Sequence, residues 1–144
     1  MPNTEPEVQL VGKVIHVAVG VVQRGDGRIL IARRPDHLHM GGRWEFPGGK
    51  VEEGETVQQA LTRELREEVA IEVKDLKPLT EIRHDYPEKT VLLDTWWVTK
   101  FKGEASGQEG QQSAWVAVAE LFDYQFPDAN QEIIEAILAT GSHL

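Results

Sequence analysis

The sequence predicts an α+β layered domain in which a mixed β-sheet packs between helices. Two segments carry apolar residues at helical spacing, one in the middle of the chain and one near its C-terminal end. Most other segments are short, rich in Val, Ile, Thr and Trp, and separated by turn residues, as β-strands are. Two helices among many strands, several of them in hairpins, favour a sheet covered by helices.

One domain accounts for the length of 144 residues, since a chain of 16.2 kDa can bury a single sizeable core. Residues 1–11 are rich in Pro and Glu and show no apolar period, so we expect a flexible tail followed by a domain over residues 12–141. The longest apolar run, at residues 14–22, is too short for a membrane span. A chain without cysteine has no thiolate metal ligands, and it fits a reducing cytoplasm.

The formal net charge is −9 at pH 7. Binding of nucleic acid through its phosphates needs a basic stripe, which this sequence does not show. A small triphosphate is different, because divalent cations can bridge its charge to acidic side chains. We therefore expect a monomer that binds a small molecule and makes no stable contact with nucleic acid or membrane.

The N-terminal half of the domain predicts three strands. Residues 13–22 are apolar and β-branched, and the Arg-Gly-Asp-Gly turn at 24–27 leads into a second strand at 28–33, which together indicate a β-hairpin. Residues 36–42 form a loop with two His and two Gly before a short strand at 43–46. This loop can reach a ligand.

The central helix is predicted at residues 57–69, with Thr56 as its N-cap. Leu61, Leu65 and Val69 recur every four residues and make the buried stripe. A turn rich in Gly and Glu precedes the cap. Nothing between the cap and residue 69 breaks a helix.

Three carboxylates, those of Glu64, Glu67 and Glu68, stand at i, i+3 and i+4 on a face next to the buried stripe. Like charges at this spacing repel, and Arg63 and Arg66 offset only part of the charge. Hard oxygen ligands that face one way suit Mg²⁺ or Mn²⁺, usually together with substrate phosphates. For such a helix alone an acidic face turned to solvent is the alternative. The glycines beside the helix favour the metal site.

The C-terminal half predicts a second hairpin, a loop, a strand and a helix. Residues 73–79 and 80–86 are extended, and a turn at 87–88 leads into a long strand at 90–101. A polar loop at 102–112, a strand at 113–118 and a short turn at 119–122 follow. The final helix carries apolar residues at helical spacing from Ile133 to Leu138, and either Asp128 or Asn130 is its N-cap.

The spacing from Gly49 through Glu55 to the Arg-Glu-Leu-x-Glu-Glu run that starts at Arg63 resembles the Nudix hydrolase signature. The segments VAVGVV, ILIARRP, HMGGRWEFPGGKVEEGE, QEGQ and FPDAN, in this order, extend the resemblance to the MutT branch over residues 17–138. The family usually has Gly directly after the helix, where this chain has Ala70. A left-handed helix end at Ala70 would cost about 1 kcal/mol.

The resemblance implies an α/β/α sandwich and a Mg²⁺-dependent pyrophosphohydrolase, with Mn²⁺ as a second usable metal. The implied reaction converts 8-oxo-dGTP into the monophosphate and pyrophosphate, which cleans the nucleotide pool and prevents mutation. One alternative is a pyrophosphatase for another nucleotide, such as an altered dCTP. Another is a Nudix domain that binds a nucleotide as a sensor without hydrolysis, although degenerate acids would be expected there.

For catalysis and metal binding, the resemblance implies Glu64, Glu67 and Glu68 together with the carbonyl of Gly48. Glu64 is the predicted general base or its partner. Glu109 matches a fourth carboxylate from outside the signature, for which a solvated loop acid is the alternative. Arg63 is expected to be a structural partner of Glu55 or Glu67 rather than a phosphate ligand.

For the substrate, the resemblance implies phosphate contacts from Arg34 and His39, with Arg33 as an exposed strand end. Asn130 matches the residue that reads the oxidised guanine edge, because an amide offers both a donor and an acceptor. The other implied substrate contacts and apolar walls of the base pocket are Glu45, Phe46, Pro47, Gly48, Ile15, Val17, Tyr86 and Val91. Lys89 stands where the family has an Arg beside the base, and an ammonium does not stack as a guanidinium does.

Overall fold

The computed structural model describes residues 13–37, 41–106 and 112–140. Its elements in chain order are β1 (Val14–Val22), β2 (Ile29–Arg33), β3 (Trp44–Glu45), β4 (Gly48–Lys50), α1 (Val57–Val69), β5 (Glu72–Tyr86), β6 (Lys89–Lys102), β7 (Gln112–Val116), a 3₁₀ helix (Val118–Asp123) and α2 (Asp128–Thr140). Within these described residues, no helix is long and apolar enough to cross a bilayer. The tail predicted at residues 1–11, His39 and Glu109 lie outside them.

The strands form two sheets. A four-stranded mixed sheet has the order β4-β1-β6-β5, in which β1 and β6 are parallel and the other pairs are antiparallel. A second, antiparallel sheet has the order β3-β2-β7. The α+β prediction is confirmed, with a second small sheet added to the mixed sheet that was expected.

Strand β1 separates two apolar clusters because successive side chains point to opposite faces. Val19 and Val21 belong to the cluster under α2, which also contains Phe46, whereas Ala18 and Val22 belong to the cluster under α1. The mixed sheet is thus covered by a helix on each face. This is the layered sandwich that the sequence predicts.

The predicted hairpin between β1 and β2 is wrong, although its turn is present. The Arg24 N–H donates to the Arg28 carbonyl at 2.9 Å, and a single bridge joins Gln23 to Ile29 before the two strands enter different sheets. One edge of β1 is paired with β6 along its whole length. The other edge is taken by β4 and by the Pro47 carbonyl, which accepts from the Gly20 N–H at 2.8 Å. Too little of β1 is left to pair with β2.

Two further strands differ from the prediction. Residues 48–50, expected as part of a turn, form β4 because their backbone pairs with β1. The two extended segments at 73–79 and 80–86 are one strand, β5, whose register with β6 shifts at three places, one of them next to Pro78. A register shift accommodates Pro78 because proline has no N–H to donate to a ladder. The β5–β6 hairpin itself is confirmed.

Helix α1 has the predicted bounds and the predicted cap. The Thr56 Oγ1 accepts from the Gln59 N–H at 3.1 Å, and the Gln59 side chain accepts from the Thr56 N–H at 2.9 Å, which completes a capping box. At the other end Ala70 adopts the left-handed conformation with φ 62°. The Ala70 N–H still donates to the Arg66 carbonyl, so the helix ends as a Gly would end it.

Helix α2 begins at Asp128, which is one residue earlier than a cap at Asp128 and three residues earlier than a cap at Asn130 would place its start. The Pro127 carbonyl accepts from the N–H groups of Asn130 and Gln131, so Asp128 and Asn130 both lie inside the first turn. The prediction of either residue as the N-cap is therefore wrong. Pro127 takes that position because its carbonyl is available for the first helical bonds.

Candidate active site

The acidic face of α1 lies against β4, where two glycines bring backbone and carboxylates into contact. The Gly48 N–H donates to Oε1 of Glu68 at 3.0 Å. The Glu64 carboxylate lies over Gly49 so closely that a Cβ there would overlap it, and a Cβ on Gly48 would overlap the Ala18 carbonyl. A side chain at Gly49 would push α1 away from β4, and one at Gly48 would push β4 away from β1.

Arg63 is the centre of the charge network at this contact. Its Nε and Nη2 donate to the two carboxylate oxygens of Glu55 at 2.7 and 2.9 Å. Its Nη1 donates to Glu64 at 3.0 Å and to Glu67 at 3.4 Å, while Nη2 also reaches the Lys50 carbonyl at 3.2 Å. The prediction that Arg63 is a structural partner of the acids is confirmed. It joins the acidic turn, β4 and α1.

This network changes the titration of its members. The hydrogen bond from Arg63, together with the Glu52 N–H, lowers the pKa of Glu55 to about 2. The same bond, with that to Glu64, raises the pKa of Arg63 above its usual value. Both groups therefore stay charged at neutral pH, and the guanidinium offsets part of the negative charge of the acidic face.

The oxygen atoms around Gly48 fit a hard divalent cation. Within residues 13–37, 41–106 and 112–140, no three acidic or His side chains converge closely enough to hold a metal ion by themselves. Glu64 and Glu68 face β4, whereas the Glu67 side chain is 56% exposed. Mg²⁺ usually takes one or two carboxylates and completes its shell with substrate phosphates and water. Two carboxylates beside a strand carbonyl match that requirement.

A cleft of about 220 Å³ opens beside the acidic face, on the side of the mixed sheet that α2 covers. Its lining brings together five of the predicted substrate residues and one predicted wall, namely Arg34, Glu45, Phe46, Gly48, Asn130 and Val17. Val19, Gly49, Lys50 and Leu93 complete it. Pro47 is buried between two lining residues.

Arg34 and Glu45 form the polar side of the cleft. Nη1 of Arg34 lies 3.9 Å from Oε2 of Glu45. Burial raises the pKa of Glu45, and the charge of Arg34 opposes that rise. The Arg34 guanidinium can donate to phosphate oxygens of a ligand, and the Glu45 carboxylate can accept from its hydroxyl groups.

Asn130 lines the same cleft and lies on the first turn of α2. Its neighbour Ala129 is buried, as are Ile133 and Ile134 one turn on, so the apolar face of α2 fixes the helix on the sheet. Phe46 is only 4% exposed. The cleft therefore combines an amide with an apolar ring, which suits a planar base.

Some predicted walls lie elsewhere. The lining of this cleft, as far as the described residues show it, does not include Ile15, Val91 or Tyr86. Tyr86 is 46% exposed and packs against His84, with ring centroids 4.7 Å apart. The Lys89 ammonium lies 5.9 Å from the Tyr86 ring. These residues are at the tip of the β5–β6 hairpin.

Sequence reasoning missed Lys50, Val19 and Leu93 in the lining. Lys50 follows the two glycines, and the alternation of a strand places it on the same face as Gly48, but residues 48–50 were interpreted as a turn. Val19 and Leu93 share that face as β-branched and apolar strand residues. Their sequence pattern is that of ordinary core, so only the pairing of β1, β4 and β6 identifies them.

Two polar residues of β1 and β2 have partners away from the cleft. Nε2 of His16 lies 2.9 Å from Oδ2 of Asp94. Arg33 donates to Asp36 at 2.9 Å. Neither lines the cleft among the described residues.

An acidic helix held on a Gly-Gly strand beside a cleft is the arrangement of a Nudix domain, and the chain belongs to the Nudix family. The NUDIX domain model matches residues 18–136. The chain is 38% identical over 122 residues to the 8-oxo-dGTP diphosphatase of Escherichia coli strain K12, which covers 85% of this chain and 95% of that protein. It is 36% identical over 127 residues to the CTP pyrophosphohydrolase of the same organism, with 88% and 93% covered.

Solved structures support the same assignment. One, described as MutT from the fish pathogen Aliivibrio salmonicida and from Vibrio cholerae, superposes with a TM-score of 0.79 at 42% identity. The match covers 89% of this chain and 99% of that one. The α+β sandwich predicted from the sequence is therefore the fold of known MutT proteins.

Proposed function

We propose that this protein is a nucleoside triphosphate pyrophosphohydrolase that converts 8-oxo-dGTP into 8-oxo-dGMP and pyrophosphate. The proposal rests on one cleft whose lining includes both Asn130 and Gly48. Gly48 also contacts Glu68 on the acidic face of α1. The E. coli relative named 8-oxo-dGTP diphosphatase matches over 85% of the chain and supports the choice of substrate. Removal of this nucleotide would prevent its use in DNA synthesis.

The triphosphate end of the site is assigned to Glu64, Glu67, Glu68 and the Gly48 carbonyl, which would hold Mg²⁺ or, in its place, Mn²⁺. When bound, the metal offsets the negative charge of the triphosphate and orients it. Glu109 is proposed as a further carboxylate from the part of the sequence that precedes β7. Oxygen-only ligands and the absence of Cys favour these hard cations.

Glu64 is the proposed general base. Its carboxylate is held between Arg63, which donates to it at 3.0 Å, and the Cα of Gly49. A carboxylate fixed in this way can accept a proton from a water as the water oxygen bonds to phosphorus and a phosphoanhydride P–O bond breaks. The products that balance this step are the monophosphate and pyrophosphate.

The remaining lining residues are proposed to bind the nucleotide. Arg34 and His39 would contact phosphate, and Glu45 and Pro47 would contact the sugar side. Phe46 and Asn130 would hold the base, with the Asn130 amide donating to the 8-oxo purine edge and accepting from it. An unmodified guanine offers a different donor and acceptor pattern at that edge, which is the basis for discrimination.

A second candidate substrate is a cytidine nucleotide, because the CTP pyrophosphohydrolase of E. coli is 36% identical over 88% of this chain. The test is a panel of triphosphates with Mg²⁺, including 8-oxo-dGTP, dGTP, CTP and dCTP, with pyrophosphate release and nucleotide products both measured. The proposal predicts the highest kcat/KM for 8-oxo-dGTP. A higher value for CTP would favour the second candidate, and tight binding without any product would favour a sensor.

We also propose a monomeric, cytoplasmic protein. The lack of Cys fits a reducing compartment, and the cleft is lined by described residues of one chain. Elution at the mass of one chain in size-exclusion chromatography coupled to light scattering is the expected result.

A further inference from the structure

Two chain segments that share one four-residue pattern pack against each other beside the cleft. The pattern is an aromatic residue, any residue, Phe and Pro. The segments are Trp-Glu-Phe-Pro at residues 44–47 and Tyr-Gln-Phe-Pro at residues 124–127. The rings of Trp44 and Tyr124 meet edge to face, with centroids 5.3 Å apart and an interplanar angle of 81°. Those of Phe46 and Phe126 stack at 5.2 Å and 21°. We call these four rings the aromatic clamp.

A backbone hydrogen bond fixes the register of the clamp. The Trp44 N–H donates to the Gln125 carbonyl at 2.8 Å. The two ring contacts flank this bond and cannot slide relative to it. Aromatic pairs in these geometries contribute more than their buried area alone.

Each arm of the clamp leads directly into one end of the proposed site. On one arm Pro47 joins Phe46 to Gly48, which contacts Glu68 at the phosphate end. On the other arm Pro127 joins Phe126 to α2, whose first turn carries Asn130. Proline fixes φ, so each arm has little freedom between its clamped Phe and its site residue. The clamp therefore sets the separation of Gly48 and Asn130.

We propose that Trp44 and Tyr124 are positioning residues that determine the preference for the oxidised base by fixing Asn130 relative to the phosphate end. This inference rests on the proposed function. Both residues are half-buried and neither lines the cleft among the described residues, so they would act through Phe46 and α2. Hydrogen bonds to a base edge depend steeply on position, whereas contacts shared by both nucleotides change equally and cancel in the ratio of their kcat/KM values.

The test measures the ratio of kcat/KM for 8-oxo-dGTP to kcat/KM for dGTP, with Mg²⁺, together with Tm. Tyr124→Leu, which removes the edge-to-face contact, should reduce the ratio by about tenfold. Tyr124→Phe keeps the aromatic ring, and it should leave the ratio within about twofold of wild type. Trp44→Leu should behave like Tyr124→Leu.

Trp115→Leu is the matched control. Trp115 is also half-buried and also stacks on a second ring, that of Phe101, with centroids 6.1 Å apart, but it belongs to the cluster under α1. Its loss should lower Tm by a few °C, about as much as Tyr124→Leu does. The ratio should not change, which separates positioning from a general loss of stability.

The outcomes distinguish this inference from the proposed function. A wild-type enzyme without a preference for 8-oxo-dGTP would overturn both together. A wild-type preference that survives Tyr124→Leu and Trp44→Leu, or that falls equally in Trp115→Leu, would overturn the positioning role alone. If the Leu variants do not fold, Tyr124→Met, which fills the space with a flexible side chain but removes the ring, decides on the same ratio: a ratio reduced several-fold supports the inference, and an unchanged ratio overturns it.

Discussion

The three acids on α1 have different neighbours, so they are not equivalent as chemical groups. Glu68 accepts from the Gly48 N–H, and Glu64 is held by Arg63 over Gly49. Glu67 is 56% exposed, and its contact with Arg63 is longer, at 3.4 Å. We therefore expect substitutions of Glu64 and Glu68 to have the most specific effects.

Glu64→Gln and Glu68→Gln should each lower kcat by about a hundredfold or more while the fold is kept, since the amide removes charge and basicity but little volume. Turnover and circular dichroism on the same preparations check this. Glu53→Gln, at an exposed acid of the preceding turn, is the control and should be close to wild type. Activity within about threefold of wild type in the Glu64 and Glu68 variants would contradict the metal-site assignment.

Asn130→Ala should reduce the preference for 8-oxo-dGTP over dGTP by about 1–3 kcal/mol in the ratio of kcat/KM values, because a pair of hydrogen bonds to the base edge is lost. The Pro127 carbonyl, not the Asn130 side chain, receives the first helical bonds of α2, so little loss of Tm is expected. Asp128→Ala, on the same turn and exposed, should leave the ratio unchanged. A fall in Tm with an intact ratio would mean that Asn130 is structural.

At the scale of elements, the end of α1 is locally unfavourable. Ala70 has φ 62° and is exposed, a conformation that suits Gly better than a residue with a Cβ. Ala70→Gly should therefore stabilise the protein by about 1 kcal/mol and raise Tm by about 2–4 °C. The same substitution inside a helix, Ala136→Gly in α2, should lower Tm. Equal losses in both variants would show that Ala70 is not strained.

The pairing of Arg63 with Glu55 joins α1 to the acidic turn, and the stability that it contributes should depend on pH. The Arg63 hydrogen bond lowers the pKa of Glu55 from 4.5 to about 2 in the folded protein. A lowered pKa stabilises the fold above the unfolded-state pKa, and this contribution is lost as pH falls from 4.5 toward 2. The Tm difference between wild type and Glu55→Gln should thus be present at pH 7 and shrink below pH 4.5. A difference that is constant with pH would contradict the pairing.

Features of α1 could be predicted from the sequence because they are local. The cap at Thr56, the stripe that includes Leu61 and Leu65, and the end at Ala70 each depend on residues within a few positions of one another. The acidic face follows from the same periodicity. Arg63 as a partner of the acids could be predicted too, since they lie on one helix or just before it.

Features that depend on distant pairing could not be predicted. β1 and β2 lie in different sheets because β4 and β6 occupy the edges of β1. The Arg-Gly-Asp-Gly turn does not predict this. Strand β4 consists largely of Gly, which has no strand pattern of its own. Asn130 has the residue type of a cap, and only the hydrogen bonds of Pro127 show where α2 begins. His39 and Glu109 stay predictions.

At the scale of the whole molecule, the cleft lies where parts from both halves of the chain meet. Strand β1 supplies Val17 and Val19, β6 supplies Leu93, and α2 supplies Asn130. Arg34 and Phe46 come from the segments around the small sheet. A local change in either half can therefore alter the site, while the two apolar clusters on the faces of the mixed sheet keep the layers in place.

The central claim is that the acids of α1 and Gly48 bind a divalent metal that is required for hydrolysis of the oxidised nucleotide. The most direct measurement is product formation from 8-oxo-dGTP by protein stripped with EDTA, before and after addition of Mg²⁺ or Mn²⁺. We predict no turnover in EDTA and, after metal is restored, equal amounts of 8-oxo-dGMP and pyrophosphate. Undiminished hydrolysis in EDTA, or no hydrolysis with the metal present, would contradict the account.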